Sequence, residues 1–193
     1  MKKLSILIAE DQSLTRMDLK EMLETAGHFV CADTNNGQKA VELARQLNPD
    51  LALVDIKMPG MDGLEAAQAM HSLNIPVIIL TAYSQQNFIN RAEKVHVFNY
   101  LVKPVSEQDL LPAVQITFSR WKEMQAIKDK LEDARNSLEM QKLIAHARSW
   151  LAKEKGISEY EAHNCLIKTA MDRRISVAQL AHQIINKTKK HSN

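Results

Sequence analysis

Apolar and polar positions along this chain fall into two regimes. Over roughly the first hundred residues, short apolar runs at 4–9, 29–34, 51–55, 77–81 and 98–102 alternate with longer stretches at 13–25, 38–47, 64–72 and 86–94, in which apolar residues recur every three or four positions. The first kind has the length and β-branched content of strands, and the second has the period of amphipathic helices. Strict alternation of the two predicts parallel strands joined by right-handed crossovers, that is, an α/β fold with a doubly wound five-stranded sheet. Turn formers stand at the junctions: Gly27, Asn35-Asn36-Gly37, Asn48-Pro49-Asp50, Pro59-Gly60, Gly63 and Pro76.

The second regime begins after Pro104. From residue 106 to about 155 there is no glycine, and Pro112 falls in the first turn of the helix this predicts, where proline is tolerated. Met124, Ile127, Leu131, Ala134, Leu138 and Ala145 recur at intervals of three and four, a heptad seam interrupted by Gln141. At 1.5 Å per residue the helix would run roughly 70 Å, more than a last helix needs to cover such a sheet. The excess must pack on something: a second copy is the simplest partner, and a bent helix folding back on its own domain is the alternative. Gly156 closes the helix, and 158–171 and 176–187 read as two more, with Ser158 and Glu161 spaced as a capping box. A small three-helix all-α domain is therefore expected behind a coiled-coil-forming helix.

Composition narrows the class. With 45% hydrophobic and 25% charged residues, the chain has enough apolar material to fold and is not a disordered tail. Cys31 and Cys165 are too far apart and too few for a disulfide or metal framework. The apolar run after Lys2-Lys3 is cut off by Glu10-Asp11, so neither an export signal nor a membrane span is expected, and a cytoplasmic location follows. The net charge of +2 conceals an asymmetry. Residues 1–111 hold 10 Lys+Arg against 14 Asp+Glu, whereas 146–193 hold 9 against 4. That pattern suggests a metal or phosphate site in front and a polyanionic partner behind.

In open α/β sheets, ligands collect beyond the carboxyl ends of the strands. Here those ends carry Glu10-Asp11, Asp55, Thr81 and Lys103, separated by dozens of residues in sequence. Singly each reads as a helix cap or turn former. Together, three carboxylates at one rim require a hard, oxygen-preferring cation, for which Mg²⁺ is the fit. Asp55 is then the candidate nucleophile toward a phosphoryl group, with Lys103 offsetting charge on its oxygens and Thr81 able to hydrogen-bond it only after transfer.

The segments Ile8-Ala9-Glu10-Asp11, Leu53-Val54-Asp55-Ile56-Lys57-Met58-Pro59-Gly60-Met61-Asp62-Gly63, Leu80-Thr81-Ala82 and Tyr100-Leu101-Val102-Lys103-Pro104 resemble the bacterial response-regulator receiver family. The resemblance implies a flavodoxin-like receiver over 1–120, with Asp55 as phosphoacceptor for a sensor histidine kinase. It further implies Glu10, Asp11, Asp55 and the Lys57 carbonyl as Mg²⁺ contacts, Thr81 and Lys103 as phosphate-sensing residues, Tyr100 as the switch aromatic and a cis Lys103-Pro104 peptide. Read without the family, Tyr100 is equally a strand aromatic packed in the core.

After a linker at 121–140, residues 141–193 are similar to the ANTAR domain, the RNA-binding output module of transcription antiterminators. The similarity rests on Gln141-Lys142-Leu143-Ile144-Ala145-His146-Ala147-Arg148, Ser158-Glu159-Tyr160-Glu161-Ala162, Ala170-Met171-Asp172-Arg173-Arg174 and Val177-Ala178. Arg148 stands where the family more often has lysine, and Trp150 is bulkier than usual. Arg148, Arg173, Arg174 and Lys187 are the candidate RNA contacts, with Lys153 and Lys155 more simply solvated helix charges. His146, His163 and His182 lack the spacing of metal ligands. The tail carries no nucleophile or base constellation, so the chain is expected to be a regulator and not an enzyme. The leading expectation is a response regulator that dimerises on phosphorylation and binds leader hairpins to control antitermination. A DNA-binding or protein-interaction output is the alternative.

Overall fold

The computed structural model describes residues 2–82 and 98–191, with side chains through residue 186. The expected helix at 86–94 lies outside the described residues. Two compact units emerge, Met1–Gln125 and Ala126–Asn193.

In the first unit, β1 (Ser5–Ala9), β2 (Phe29–Thr34), β3 (Leu51–Asp55), β4 (Val77–Thr81) and β5 (Asn99–Val102) form one parallel sheet in the order β2-β1-β3-β4-β5. Helices α1 (Ser13–Thr25), α2 (Gly37–Leu47) and α3 (Gly63–Ser72) connect the early strands. The central strands are buried on both faces, which is why they read as continuous apolar runs. Alternate residues feed two cores. Leu7, Ala9, Ala52, Val54 and Ile79 pack with α2 and α3 residues such as Ala44 and Met70. Ile6, Ile8, Leu53, Ile78 and Leu80 pack with Leu19 and Leu23 of α1 and with Leu110 and Val114 beyond β5.

Local signals end the elements where they must. The Asn36 side chain accepts from Lys39 N–H at the start of α2, and Asp62 accepts from Leu64 N–H at the start of α3. Gly27, at φ 85°, terminates α1 in the left-handed region.

Helix α4 (Glu107–Lys155) runs continuously for 49 residues, with Pro112 in its second turn. Its environment changes along its length. Leu110, Ala113, Val114, Thr117 and Trp121 are buried in the first unit, and Ala147 and Leu151 are buried in the second. Between them, every residue from Lys122 to Lys142 is exposed except the half-buried Gln125. The heptad seam from Met124 to Leu138 lies in that stretch, with Ile127 60%, Leu131 69% and Leu138 51% exposed, while its last member, Ala145, is half-buried beyond it.

The second unit packs the end of α4 against α5 (Glu159–Asp172) and α6 (Val177–His191) around Ala147, Leu151, Ala162, Leu166, Ala170, Leu180 and Ala181. The capping box of Ser158 and Glu161 is formed reciprocally. Gly156, at φ 65°, turns the chain after α4 as Ile157 N–H donates back to the Ala152 carbonyl. Arg174 does the same after α5 at φ 53°, a conformation that usually selects glycine or asparagine. No described helix is long and apolar enough to cross a membrane.

Candidate functional site

The parallel register brings the chemistry to one rim. Asp55 pairs with Leu80, so Thr81 stands one residue further along at the end of β4. Thr81 pairs with Val102, and the backbone N–H of Lys103 donates to the Thr81 carbonyl at 2.8 Å. Glu10 follows β1 directly, its N–H donating to the Thr34 carbonyl at 2.9 Å. Carboxylate oxygens of Glu10, Asp11 and Asp55 all lie within 4.8 Å of one another.

Burial is uneven across this cluster. Glu10 is completely buried, Asp55 and Thr81 are buried, and Asp11 is exposed. The Lys103 ammonium bridges the two buried acids, 2.6 Å from Glu10 Oε2 and 2.8 Å from Asp55 Oδ2. Burial raises the Glu10 carboxyl above its ordinary range; hydrogen bonds from Lys103 and Gln12 N–H oppose the rise, and the Asp55 charge adds to it. Burial works against the Lys103 charge, but its hydrogen bonds and Coulombic attraction to Asp55 and Glu10 outweigh that, so its pKa ends above the usual lysine value. Three carboxylates against one ammonium leave a net negative cluster of hard oxygen donors, part of it open to solvent. A divalent magnesium ion fits that donor set, in charge and in ligand type.

The scaffold around the cluster is tied from several sides. Arg16 of α1 donates from Nη1 to the Glu10 carbonyl at 2.7 Å and pairs through Nε with Asp33 at 3.1 Å, which fixes the turn after β1. Sequence reading missed Arg16, because its partners are one backbone oxygen and an acid from another strand. It took Gly63 only as a turn former. Gly63 has another role: a Cβ there would run into the carbonyl oxygen of Asp55, so this glycine permits α3 to start against the end of β3.

Lys57 lies two residues past Asp55 in the turn that follows β3, with its side chain exposed. Tyr100 sits on the edge strand β5 and is 46% exposed, so it is not the packed core aromatic of the alternative reading. The Lys103-Pro104 peptide is cis.

In the second unit, the basic residues are not equivalent. Arg148 pairs with Glu159 at 3.0 Å, leaving its side chain 35% exposed. Arg173 and Arg174 are exposed at the end of α5. The Lys187 side chain lies outside the described residues. Tyr160 and Met171, 75% and 72% exposed on α5, add an apolar and aromatic surface that the sequence reading did not single out.

Comparison with known proteins follows this division. Residues 6–115 match the response regulator receiver domain, and residues 132–185 match the ANTAR domain. The transcriptional regulatory protein PdtaR of Mycobacterium tuberculosis is 39% identical over 181 residues, 93% of this chain and 88% of that protein. The chemotaxis protein CheY of Thermotoga maritima is 32% identical over 111 residues, 56% of this chain and 92% of that protein. Among solved structures, the signal receiver domain of a modulated diguanylate cyclase from Desulfovibrio desulfuricans is similar at a TM-score of 0.61 and 34% identity, covering 64% of this chain and 99% of that one.

Proposed function

From the premise that this chain belongs to the response regulator receiver family and couples its receiver to an RNA-binding ANTAR output, we propose that phosphoryl transfer to Asp55 controls RNA binding and, through it, transcription antitermination. One observation supports the reading above all others. Glu10, Asp11 and Asp55 converge within 4.8 Å at a strand rim where Lys103 already bridges two of them.

In this reading a sensor histidine kinase supplies the phosphoryl group. An Asp55 Oδ forms the new bond to phosphorus as the bond to the donor histidine breaks. Glu10, Asp11, Asp55 and the Lys57 carbonyl would hold Mg²⁺, which when bound offsets negative charge on the transferring phosphoryl oxygens. The Lys103 ammonium, loosened from Asp55, follows the new charge. The Thr81 hydroxyl gains a hydrogen bond it lacks before transfer, and Tyr100 repositions with it. Because that contact exists only in the phosphorylated state, it supplies the unequal affinity a two-state switch requires.

The output then follows from pairing. Residues 1–120 receive the signal, the seam over 121–140 joins two copies, and two 141–193 segments meet paired leader hairpins. Linking two sites in this way raises the effective concentration at the second. Arg173 and Arg174 are exposed and available to phosphates, more so than the paired Arg148.

The test is a gel shift with a two-hairpin leader RNA, with and without beryllofluoride, on the full chain and on Asp55→Asn. Expected are tighter RNA binding with beryllofluoride, loss of that response in Asp55→Asn and loss of it in EDTA. Equal, weak binding of RNA and of duplex DNA in every state would remove the RNA output. An unchanged beryllofluoride response in Asp55→Asn would remove the phosphoacceptor.

A further inference from the structure

The second unit contains an open cavity of about 170 Å³ between the end of α4, α5 and α6. Its inner wall is apolar, with Leu166 and Leu180 both buried. Its rim carries Lys155, Arg173 and the Gln183 amide, and the Cys165 thiol lines it with its sulfur 3.7 Å from Lys155 Nζ.

Size restricts what can enter. Drug-sized ligands occupy roughly 300 Å³ or more, whereas a cavity of about 150 Å³ accommodates a benzene ring. One flat ring system fits. The apolar wall desolvates the ring face, and a glutamine amide offers both a donor and an acceptor to a ring edge. The cations decide the ligand's charge. Neither Lys155 nor Arg173 has a carboxylate within ion-pair distance among the described residues, in contrast to Arg148 two turns earlier on α4, which pairs with Glu159. Two unneutralised cations at the mouth of an apolar slot match a base whose flanking phosphates stay outside.

We propose that this cavity receives one unstacked base of a single-stranded RNA loop, with the adjoining phosphates at Lys155 and Arg173 and the base edge at Gln183. The assignment rests on the RNA-binding reading and adds to it a site and a mode, capture of a single base where phosphate contact alone would leave loop sequence unread. Lys155 thereby acquires a role beyond a solvated helix charge.

Cys165 makes the cavity measurable in the full-length chain. Iodoacetamide labelling is followed for each cysteine by peptide mass spectrometry, with Cys31 of the receiver as internal reference. The probe is a fluorescent hairpin RNA selected on the protein from a pool with randomised loops, its binding checked by anisotropy in the same sample. Saturating RNA is expected to slow Cys165 labelling about tenfold, in proportion to the affinity a stacked base contributes, and to leave Cys31 unchanged. An abasic substitution at one loop position should restore labelling while the stem still binds, and Arg173→Gln should weaken the hairpin about tenfold. If bound RNA leaves the Cys165 rate unchanged, or every abasic hairpin that binds protects equally, the cavity assignment is overturned and RNA binding stands. Equal protection by free nucleoside monophosphates at the same concentration overturns the RNA loop as the source of the base. Absence of any selected RNA overturns the output reading and the cavity with it.

Discussion

Substituting Lys103 by Met strips the ammonium that lies 2.6 Å from Glu10 and 2.8 Å from Asp55, and the consequence can be worked from burial. Removing one partner of a buried ion pair costs roughly 3–5 kcal/mol when the remaining charge has no escape. Glu10 has one, because it can take up a proton. Holding a carboxyl with an ordinary pKa of about 4.3 neutral near pH 7.5 costs about 1.4 kcal/mol per pH unit, or about 4 kcal/mol, which caps the loss. Burial already raises Glu10 in the parent chain, so part of that cost is present before substitution. The expected net loss is about 2–4 kcal/mol near neutral pH. The sign with pH follows from proton counting: the folded variant binds a proton at Glu10 that the unfolded chain has released, so its stability falls as pH rises and recovers as pH drops toward the unfolded value. Urea unfolding in EDTA near pH 7.5 and near pH 5.5 tests this, in a Trp150→Phe background so that the buried Trp121 reports the receiver. The deficit should shrink by as much as about 1.4 kcal/mol per unit on acidification. A deficit that stays constant over that range, or none at all, would refute the claim that Lys103 holds an otherwise uncompensated Glu10 in place.

Three further outcomes follow from single contacts. Gly63→Ala drives a Cβ into the Asp55 carbonyl, with the Asp55 carbon at 2.7 Å and Ile56 Cα at 2.8 Å behind it; a loss of about 1–3 kcal/mol in urea and slower labelling of Asp55 by acetyl phosphate are expected. His28 is buried, accepts Leu4 N–H at Nδ1 at 3.3 Å, and is held by burial below its ordinary pKa. Its contribution is therefore full above about pH 6.5 and lost as pH falls further, by at most about 1.4 kcal/mol per unit, and His28→Phe should flatten that part of the melting profile. Arg174→Asn relieves a left-handed arginine at φ 53° and should raise the stability of the C-terminal helices by about 0.5–1 kcal/mol, read from Trp150 fluorescence in urea.

The sheet was legible because its central strands are buried on both faces: Leu51, Ala52, Leu53 and Val54 have no solvent side to interrupt the apolar run. The rim was legible for a related reason, since a strand's last residue is fixed once the strand is found, and Asp55, Thr81 and Lys103 each follow such a run. Contacts between elements were not. That Glu10 lies completely buried under Lys103 depends on the stagger of β1 and β5 across two intervening strands, which no local pattern encodes. Arg148 reads as a free cation in sequence and is partnered by Glu159 from the next helix. The obstacle at Gly63 is a backbone carbonyl, and backbone carries no residue-type signal. Tyr100 read in sequence as either a switch aromatic or a strand aromatic packed in the core, because a strand pattern alone does not say that β5 is an edge, and it lies exposed there.

The exposed seam bears on whether the proposed control by phosphorylation, through pairing of two copies, is physically reasonable. A pairing helix that dimerised strongly by itself would ignore Asp55, and one with no seam could not respond to it. With Met124 at position a, Ile127 and Ala134 fall at d, Leu131 and Leu138 at a, and Gln141 at d. Ala134 contributes little buried area, and Gln141 buries an amide. In a parallel pair, Glu123 of one copy meets Lys128 of the other favourably, whereas Lys130 meets Arg135 with like charge. Swinging a two-state equilibrium from about 1:99 to 99:1 takes roughly 5.5 kcal/mol. A symmetric pair collects each receiver's contribution twice, so a change of under 3 kcal/mol per Asp55 suffices on that estimate. That holds only if the seam alone lies near balance, and the alanine, the glutamine and the like-charged Lys130 and Arg135 are what weaken four otherwise strong apolar positions, Met124, Ile127, Leu131 and Leu138, toward it.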